Sequence, residues 1–102
     1  MIHVIATIQL KPGVRKQFLD IFKTNVPAVL AEKGCLAYGP TVDADSGMPP
    51  QGGVRPDVVT IVEQWESLDA LRAHLATPHM AAYREKVKAM TLGTSLQVLQ
   101  PA

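Results

Sequence analysis

Three histidines, His3, His74 and His79, are the side chains here best suited by type to move a proton near neutral pH. His74 lies three positions after Leu71 and next to Leu75, so its imidazole can turn toward whatever those leucines pack against. Glu63 and Trp65 occupy one face of an extended run together with Ile61. If that face lies under His74, Glu63 can accept a proton from it and fix its tautomer, leaving a neutral imidazole suited to general-base work. The competing reading is a satisfied core histidine beside a surface glutamate. Asn25 interrupts an apolar helical stripe between Phe22 and Val29. Its amide either pairs with carbonyls freed by Pro27 or hydrogen-bonds a ligand oxygen. Trp65, Met80 and Tyr83 stand at core spacing and either pack as core or together wall a flat pocket, with Phe22 and Tyr38 as further substrate-binding candidates. His79 is either part of that wall or a solvated first-turn residue, and Cys35 reads as a small buried residue at a strand start.

Other chemistries lack their residues. His74 and His79 are five apart across a helix break, not the four that sets two ligands on one helix face, and Cys35 is remote from both, so no metal site is expected. Neither a Gly-x-Gly-x-x-Gly run nor a phosphate loop is present for a nucleotide or flavin, and no Gly-x-Ser-x-Gly elbow for a nucleophile. With 10 Lys and Arg against 9 Asp and Glu, there is no basic stripe to hold nucleic acid. No apolar run nears the roughly 20 residues of a membrane span. The start, MIHVIATIQL, lacks a charged head and a small-residue cleavage site, and the single cysteine excludes an internal disulfide, so a cytoplasmic location is expected. At 47% hydrophobic and 19% charged, the composition is that of a folded globule.

The elements that must position these side chains follow from periodicity. Residues 2–10 alternate, with Ile2, Val4, Ala6, Ile8 and Leu10 on one face, as in a strand. Apolar positions 14, 18, 21, 22, 26, 29 and 30 predict an amphipathic helix over about 14–33, kinked near Pro27 and ended by Gly34. Residues 35–43 read as an edge or bulged strand because of Gly39-Pro40. Residues 44–56, rich in Pro and Gly, form a long hairpin loop expected to close over the pocket or reach a partner subunit. The run Val-Val-Thr-Ile-Val within 57–65 predicts a central strand. Ser67 caps a short helix ending near His74 or Leu75, and Thr77-Pro78 restarts a helix to about Met90 that buries Met80, Tyr83 and Val87. Residues 94–100 form the last strand. The order βαββαβ predicts a single α+β domain over residues 1–102, ferredoxin-like, with a four-stranded antiparallel sheet covered by helices on one face. The other face would carry Ile5 with either Val59 and Ile61 or Val58 and Val62, and burying it against a second copy predicts a homodimer.

Glu63-Gln64-Trp65-Glu66-Ser67, continuing through Ala70-Leu71 and His74-Leu75 to Thr77-Pro78-His79-Met80, resembles the signature of the antibiotic-biosynthesis monooxygenase family. Val4-Ile5-Ala6, Val26-Pro27, Val29-Leu30, Gly34-Cys35, Tyr38 and Leu99-Gln100-Pro101 extend the likeness over nearly the whole chain, toward the bacterial quinol monooxygenases. The resemblance implies a dimeric α+β barrel. It also implies a site between helices and sheet in each protomer, and oxygen chemistry on quinols or hydroxylated polycyclic aromatics without prosthetic group or metal. Carried over by position, Trp65, His74, His79 and Asn25 would line or serve that pocket; from the chemistry of a weakly acidic quinol hydroxyl, His74 is then expected as base and Asn25 as a donor to the developing oxyanion. A haem-degrading branch of the fold needs an axial histidine and a strand asparagine; those positions fall at Arg84 and near Ala6, and a guanidinium has no lone pair for iron. Two alternatives remain: an isomerase or degrading enzyme for small phosphorylated signalling diketones, with Arg55, Arg72 and Arg84 as available cations, and a non-catalytic quinone-binding stress dimer.

Overall fold

A computed structural model describes all residues from Met1 to Ala102. The chain runs β1 (Ile2–Leu10), α1 (Arg15–Leu30), β2 (Cys35–Thr41), β3 (Val58–Trp65), α2 (Leu68–Leu75), α3 (Pro78–Val87) and β4 (Thr91–Leu99), with one 3-10 turn at Pro49–Gln51. The strands form one sheet in the order β2-β3-β1-β4, every neighbouring pair antiparallel. The result is the α+β, ferredoxin-like βαββαβ plan with its second helix split in two.

Alternation decides which side of each strand is covered. In β1, Ile2, Val4, Ala6, Ile8 and Leu10 are all buried. Their partners across the ladder put Val59, Ile61, Glu63 and Trp65 of β3 on the same side, under the helices. Val58 and Val62 therefore share the uncovered face with Ile5, one of the two settings that the sequence leaves open. Phe18, Phe22 and Val29 of α1, Leu71 of α2, and Met80, Tyr83 and Val87 of α3 close the core from above. Both caps of the split helix form as expected: Ser67 Oγ accepts the Ala70 N–H at 3.1 Å, and Thr77 Oγ1 accepts that of Met80 at 3.4 Å, with Pro78 at the first helical position.

Several boundaries differ from expectation. The first helix runs through Pro27 but stops at Leu30, and a turn over 31–34 does the reversing. Gly34 takes φ +85° there, and a Cβ on it would lie 2.6 Å from the Ala70 Cβ, so the turn packs directly onto α2. The third helix ends at Val87 and β4 begins at Thr91, three residues early, because Met90 O accepts the Lys11 N–H at 2.9 Å and a register shift at Gln9/Leu10 absorbs the offset. The second strand stops at Thr41, short of Asp43. Asp43 instead clamps the root of the 44–56 loop, accepting from Arg55 Nε at 2.8 Å, Nη2 at 2.9 Å and the backbone N–H at 3.0 Å. No helix is long and apolar enough to cross a membrane.

The molecule measures 36 × 35 × 20 Å, a two-layer slab. Its accessible surface is 6399 Å², against roughly 5,600 Å² expected for a compact monomer of this mass. The excess comes with apolar side chains left in water: Val62 on the uncovered face, and Leu92, Leu96, Val98 and Leu99 on β4, are each more than two-fifths exposed.

Candidate functional site

Between the helical layer and the sheet lies a cavity of about 520 Å³, within the range that holds a two-ring guest. Its inner wall is aromatic. Phe22 stacks on Tyr38 (centroids 5.3 Å apart, 12° between planes) and meets Tyr83 edge-on at 5.6 Å. His74 closes this wall, its ring edge-to-face with Tyr38 at 5.4 Å. Trp65 does not line the cavity. Fully buried, it lies behind His74 with ring centroids 4.6 Å apart. Ala6, Ile8, Ile61, Met80 and Val87 supply apolar floor and sides, and Arg84, Glu85 and Lys88 stand on the exposed α3 side.

The polar atoms of the inner end are paired in a way the sequence did not reveal. Glu63 is buried beside His74, but its Oε1 accepts the Trp65 indole N–H at 2.9 Å. It is not the hydrogen-bond partner of His74; the expected Glu63–His74 pair gives way to a different carboxylate. His74 Nδ1 lies 2.9 and 3.1 Å from the two oxygens of Glu32, and His79 Nε2 lies 2.7 Å from Glu32 Oε2. Because Glu63 and Trp65 are two apart on one strand, the short carboxyl reaches the indole first. Glu32 sits in the 31–34 turn beyond the end of α1, three residues after Val29, where a charged side chain on an otherwise apolar stripe reads as a surface group past the helix end. One signal could have found it: a carboxylate next to a helix C-terminus with no basic residue in the last turn opposes the helix dipole, so it needs a partner elsewhere.

His74 is 1% exposed, and neither its Nε2 nor the hydroxyls of Tyr38 and Tyr83 has a hydrogen-bond partner within the chain, while no fully buried side-chain nitrogen or oxygen is left unpaired. These three groups line the cavity and remain free to meet a guest. Burial pushes both tyrosines well above the usual phenol range, and the nearby Glu63 carboxylate adds to it, so each offers a hydrogen-bond donor rather than a phenolate. Burial also raises the Glu63 carboxyl, opposed by the indole N–H and by His74. Cys35 is likewise raised, by burial and then by Glu32 and Glu63.

Of the residues singled out from the sequence, His74, Glu63, Phe22, Tyr38, Met80 and Tyr83 line the one cavity. Asn25 and His79 face a smaller recess of about 160 Å³ on the other side of Tyr83. Asn25 donates to Met80 Sδ at 3.5 Å, neither capping a carbonyl near Pro27 nor reaching the main cavity. His3 lies on the uncovered sheet face opposite Gln64 and Leu99. No residue of 44–56 lines the cavity. No three His, Cys, Asp or Glu side chains are arranged to hold a metal ion.

The profile of the antibiotic biosynthesis monooxygenase family matches residues 1–86. The probable quinol monooxygenase YgiN of Escherichia coli K12 is 47% identical over 103 aligned positions, covering 99% of this chain and 98% of its own, and the Shigella flexneri protein of the same name matches equally. Among solved structures, PA3566 of Pseudomonas aeruginosa superposes with a TM-score of 0.80 at 24% identity, covering 99% of this chain and 93% of that one. A conserved protein from Methanosarcina mazei Go1 gives 0.84 at 22%, covering 99% and 92%. The structural likenesses speak for the fold, and the sequence matches for lineage: the chain belongs to the antibiotic biosynthesis monooxygenase family and is an oxidoreductase.

Proposed function

We propose that this protein oxidises a quinol or hydroxylated polycyclic aromatic with dioxygen, drawing the electrons from the substrate itself, and that it does so as a homodimer. The observation that carries the reading is a buried imidazole, held by a carboxylate, on the wall of an aromatic cavity of about 520 Å³. A quinol hydroxyl is weakly acidic. His74 Nε2 takes its proton, and the resulting anion is electron-rich enough to pass an electron to dioxygen. A positioned base of this kind contributes about 10²–10⁴-fold in rate. Tyr38 and Tyr83, both kept as neutral phenols, donate to the oxygen on which charge develops. Two outcomes balance: the hydroxylated quinone with one water, or the plain quinone with hydrogen peroxide. The name of the Escherichia coli relative supports the substrate class. The apolar strip on β4 and Val62 on the open sheet face support the dimer.

Anaerobic mixing with menadiol followed by admission of oxygen tests this reading, with oxygen uptake and product mass as readouts. Menadiol-dependent uptake is expected, and His74→Ala should lower kcat by at least about tenfold if the base term applies. Saturable binding with no uptake under air would leave a non-catalytic quinone binder. Wild-type turnover in the variant would remove His74 from the role. An isomerase of phosphorylated diketones consumes no oxygen and needs converging cations. Here Arg55 and Arg72 pair with Asp43 and Asp69 away from the cavity, and the two cations on its exposed side, Arg84 and Lys88, flank Glu85, with Arg84 also donating to Leu75 O at 3.0 Å.

A further inference from the structure

The His74–Glu32–His79 bridge is built with more care than a chance surface pair. Glu32 is one of only a few carboxylates in the chain with a largely covered side chain, 11% exposed, and its sole ion-pair partners are the two imidazoles; no lysine or arginine reaches it. Its backbone is held on both sides, the N–H donating to Val29 O at 3.0 Å and the carbonyl accepting from Cys35 N–H at 3.2 Å. The turn that carries it is locked to α2: Gly34 O accepts the Glu66 N–H at 2.9 Å, and the glycine's missing side chain lets Ala70 close in. On the opposite bank, Thr77 caps α3 while its hydroxyl donates to His74 O at 2.9 Å, which sets His74 at the end of α2 and His79 at the start of α3 in a fixed relation. Two helix ends and one turn thus converge on a single carboxylate.

We infer that Glu32 is the positioning residue of the site, fixing His74 in the tautomer that carries its proton on Nδ1 and so leaving the Nε2 lone pair to the cavity. A carboxylate accepts from Nδ1–H and has nothing to donate in return. The alternative tautomer would set the lone pair of Nδ1 against the carboxylate and its N–H into the cavity, where it could only donate. His79 Nε2–H donates to Oε2, the oxygen nearest His74 Nδ1 as well, and this second donor keeps the carboxylate from rotating away. Glu32 acts through His74; it does not itself line the cavity. The consequence for turnover rests on His74 being the base, as proposed above, whereas the tautomer assignment stands apart from that reading.

Long-range ¹H–¹⁵N correlation on histidine-labelled protein reads the tautomer without any substrate. The wild type should give a neutral His74 with a protonated Nδ1 and an unprotonated Nε2. Glu32→Gln, whose amide can donate as well as accept, should shift His74 to a mixture or to the Nε2–H form, and should lower kcat on menadiol by about tenfold or more with KM changed less than about twofold. A wild-type His74 found as the Nε2–H form or as imidazolium overturns the inference, and needs no variant to fold. So does an unchanged His74 tautomer in folded Glu32→Gln. A lost tautomer with retained kcat supports the positioning role of Glu32 and instead defeats the assignment of His74 as base.

Discussion

The two ends of the cavity lie on the same side of the same sheet, built by the same alternation, yet they are finished differently. At the inner end, β2 and β3 pass under α1 and the α2–α3 junction. Trp65, Glu63 and His74 are buried there, and every fully buried side-chain nitrogen or oxygen has a partner, which leaves only the groups that face the cavity free. At the outer end, β4 presents Thr94, Leu96 and Val98 on that same side, paired with Ile8, Ala6 and Val4, and no helix reaches over them. Leu96 is 48% exposed although its ladder partner Ala6 is 7% exposed. The chain completes by itself the end that needs a defined proton geometry. It leaves the other end to whatever binds, a guest in the cavity or a second subunit against the strand.

If that contrast is right, the largest effect of any single change comes at the inner end. Trp65→Ala removes a fully buried indole behind His74 and leaves Glu63 without its donor. Loss of the packing alone costs about 3–5 kcal/mol, and an orphaned buried carboxyl adds to it. Denaturant unfolding monitored by circular dichroism measures this. A loss below about 1 kcal/mol would mean that the inner end is far less rigidly packed than its geometry implies.

An intermediate effect is expected at the outer end. Leu96→Asp touches little within one chain, and a surface change of that kind stays within about 0.5 kcal/mol in unfolding of the isolated protein. Against a partner strand it would bury a charge, so sedimentation equilibrium should show self-association weakened by at least about tenfold. A wild type that remains monomeric at high concentration, or a variant that associates as well as the wild type, would break the comparison on this side.

Legibility in the sequence follows the same divide. Strand faces and helix caps are local: the alternation of Ile2 to Leu10, Ser67 before α2 and Thr77-Pro78 before α3 each carry their own physical reason, so fold and core could be read directly. Glu63 and Trp65 on one face were legible too, but not which acceptor the indole would take, since that depends on side-chain reach within the packed layer. Glu32 follows Val29 by three, in line with the stripe, but nothing local told that the helix ends at Leu30 and that the turn after it sets this carboxylate between two histidines far along the chain. Asn25 broke the stripe as a functional residue might, yet a thioether on α3 took its amide. The early start of β4 was masked by Gly93, which reads as loop until the bulge at Gln9/Leu10 is known.

The smallest effect is also the one with a definite sign. Glu63 is raised chiefly by burial, so its folded-state value lies above its unfolded one. Such a carboxyl contributes stability that is fully present below the unfolded value and is lost as pH rises through the folded value. Near neutrality the buried charge therefore works against folding, held in place by the indole and by His74. Glu63→Gln keeps an oxygen for the Trp65 N–H and removes the charge. Its melting temperature should exceed that of the wild type at pH 8, with the gap closing as pH falls below the Glu63 range. Asp43 on the exposed loop runs the opposite way: the Arg55 guanidinium holds it at about 2, so its contribution is present above the ordinary aspartate range and fades only on strong acidification. A gap for Glu63→Gln that is flat with pH, or that favours the wild type at pH 8, would show that the carboxylate is welcome at the inner end, and that burial there does not oppose its charge.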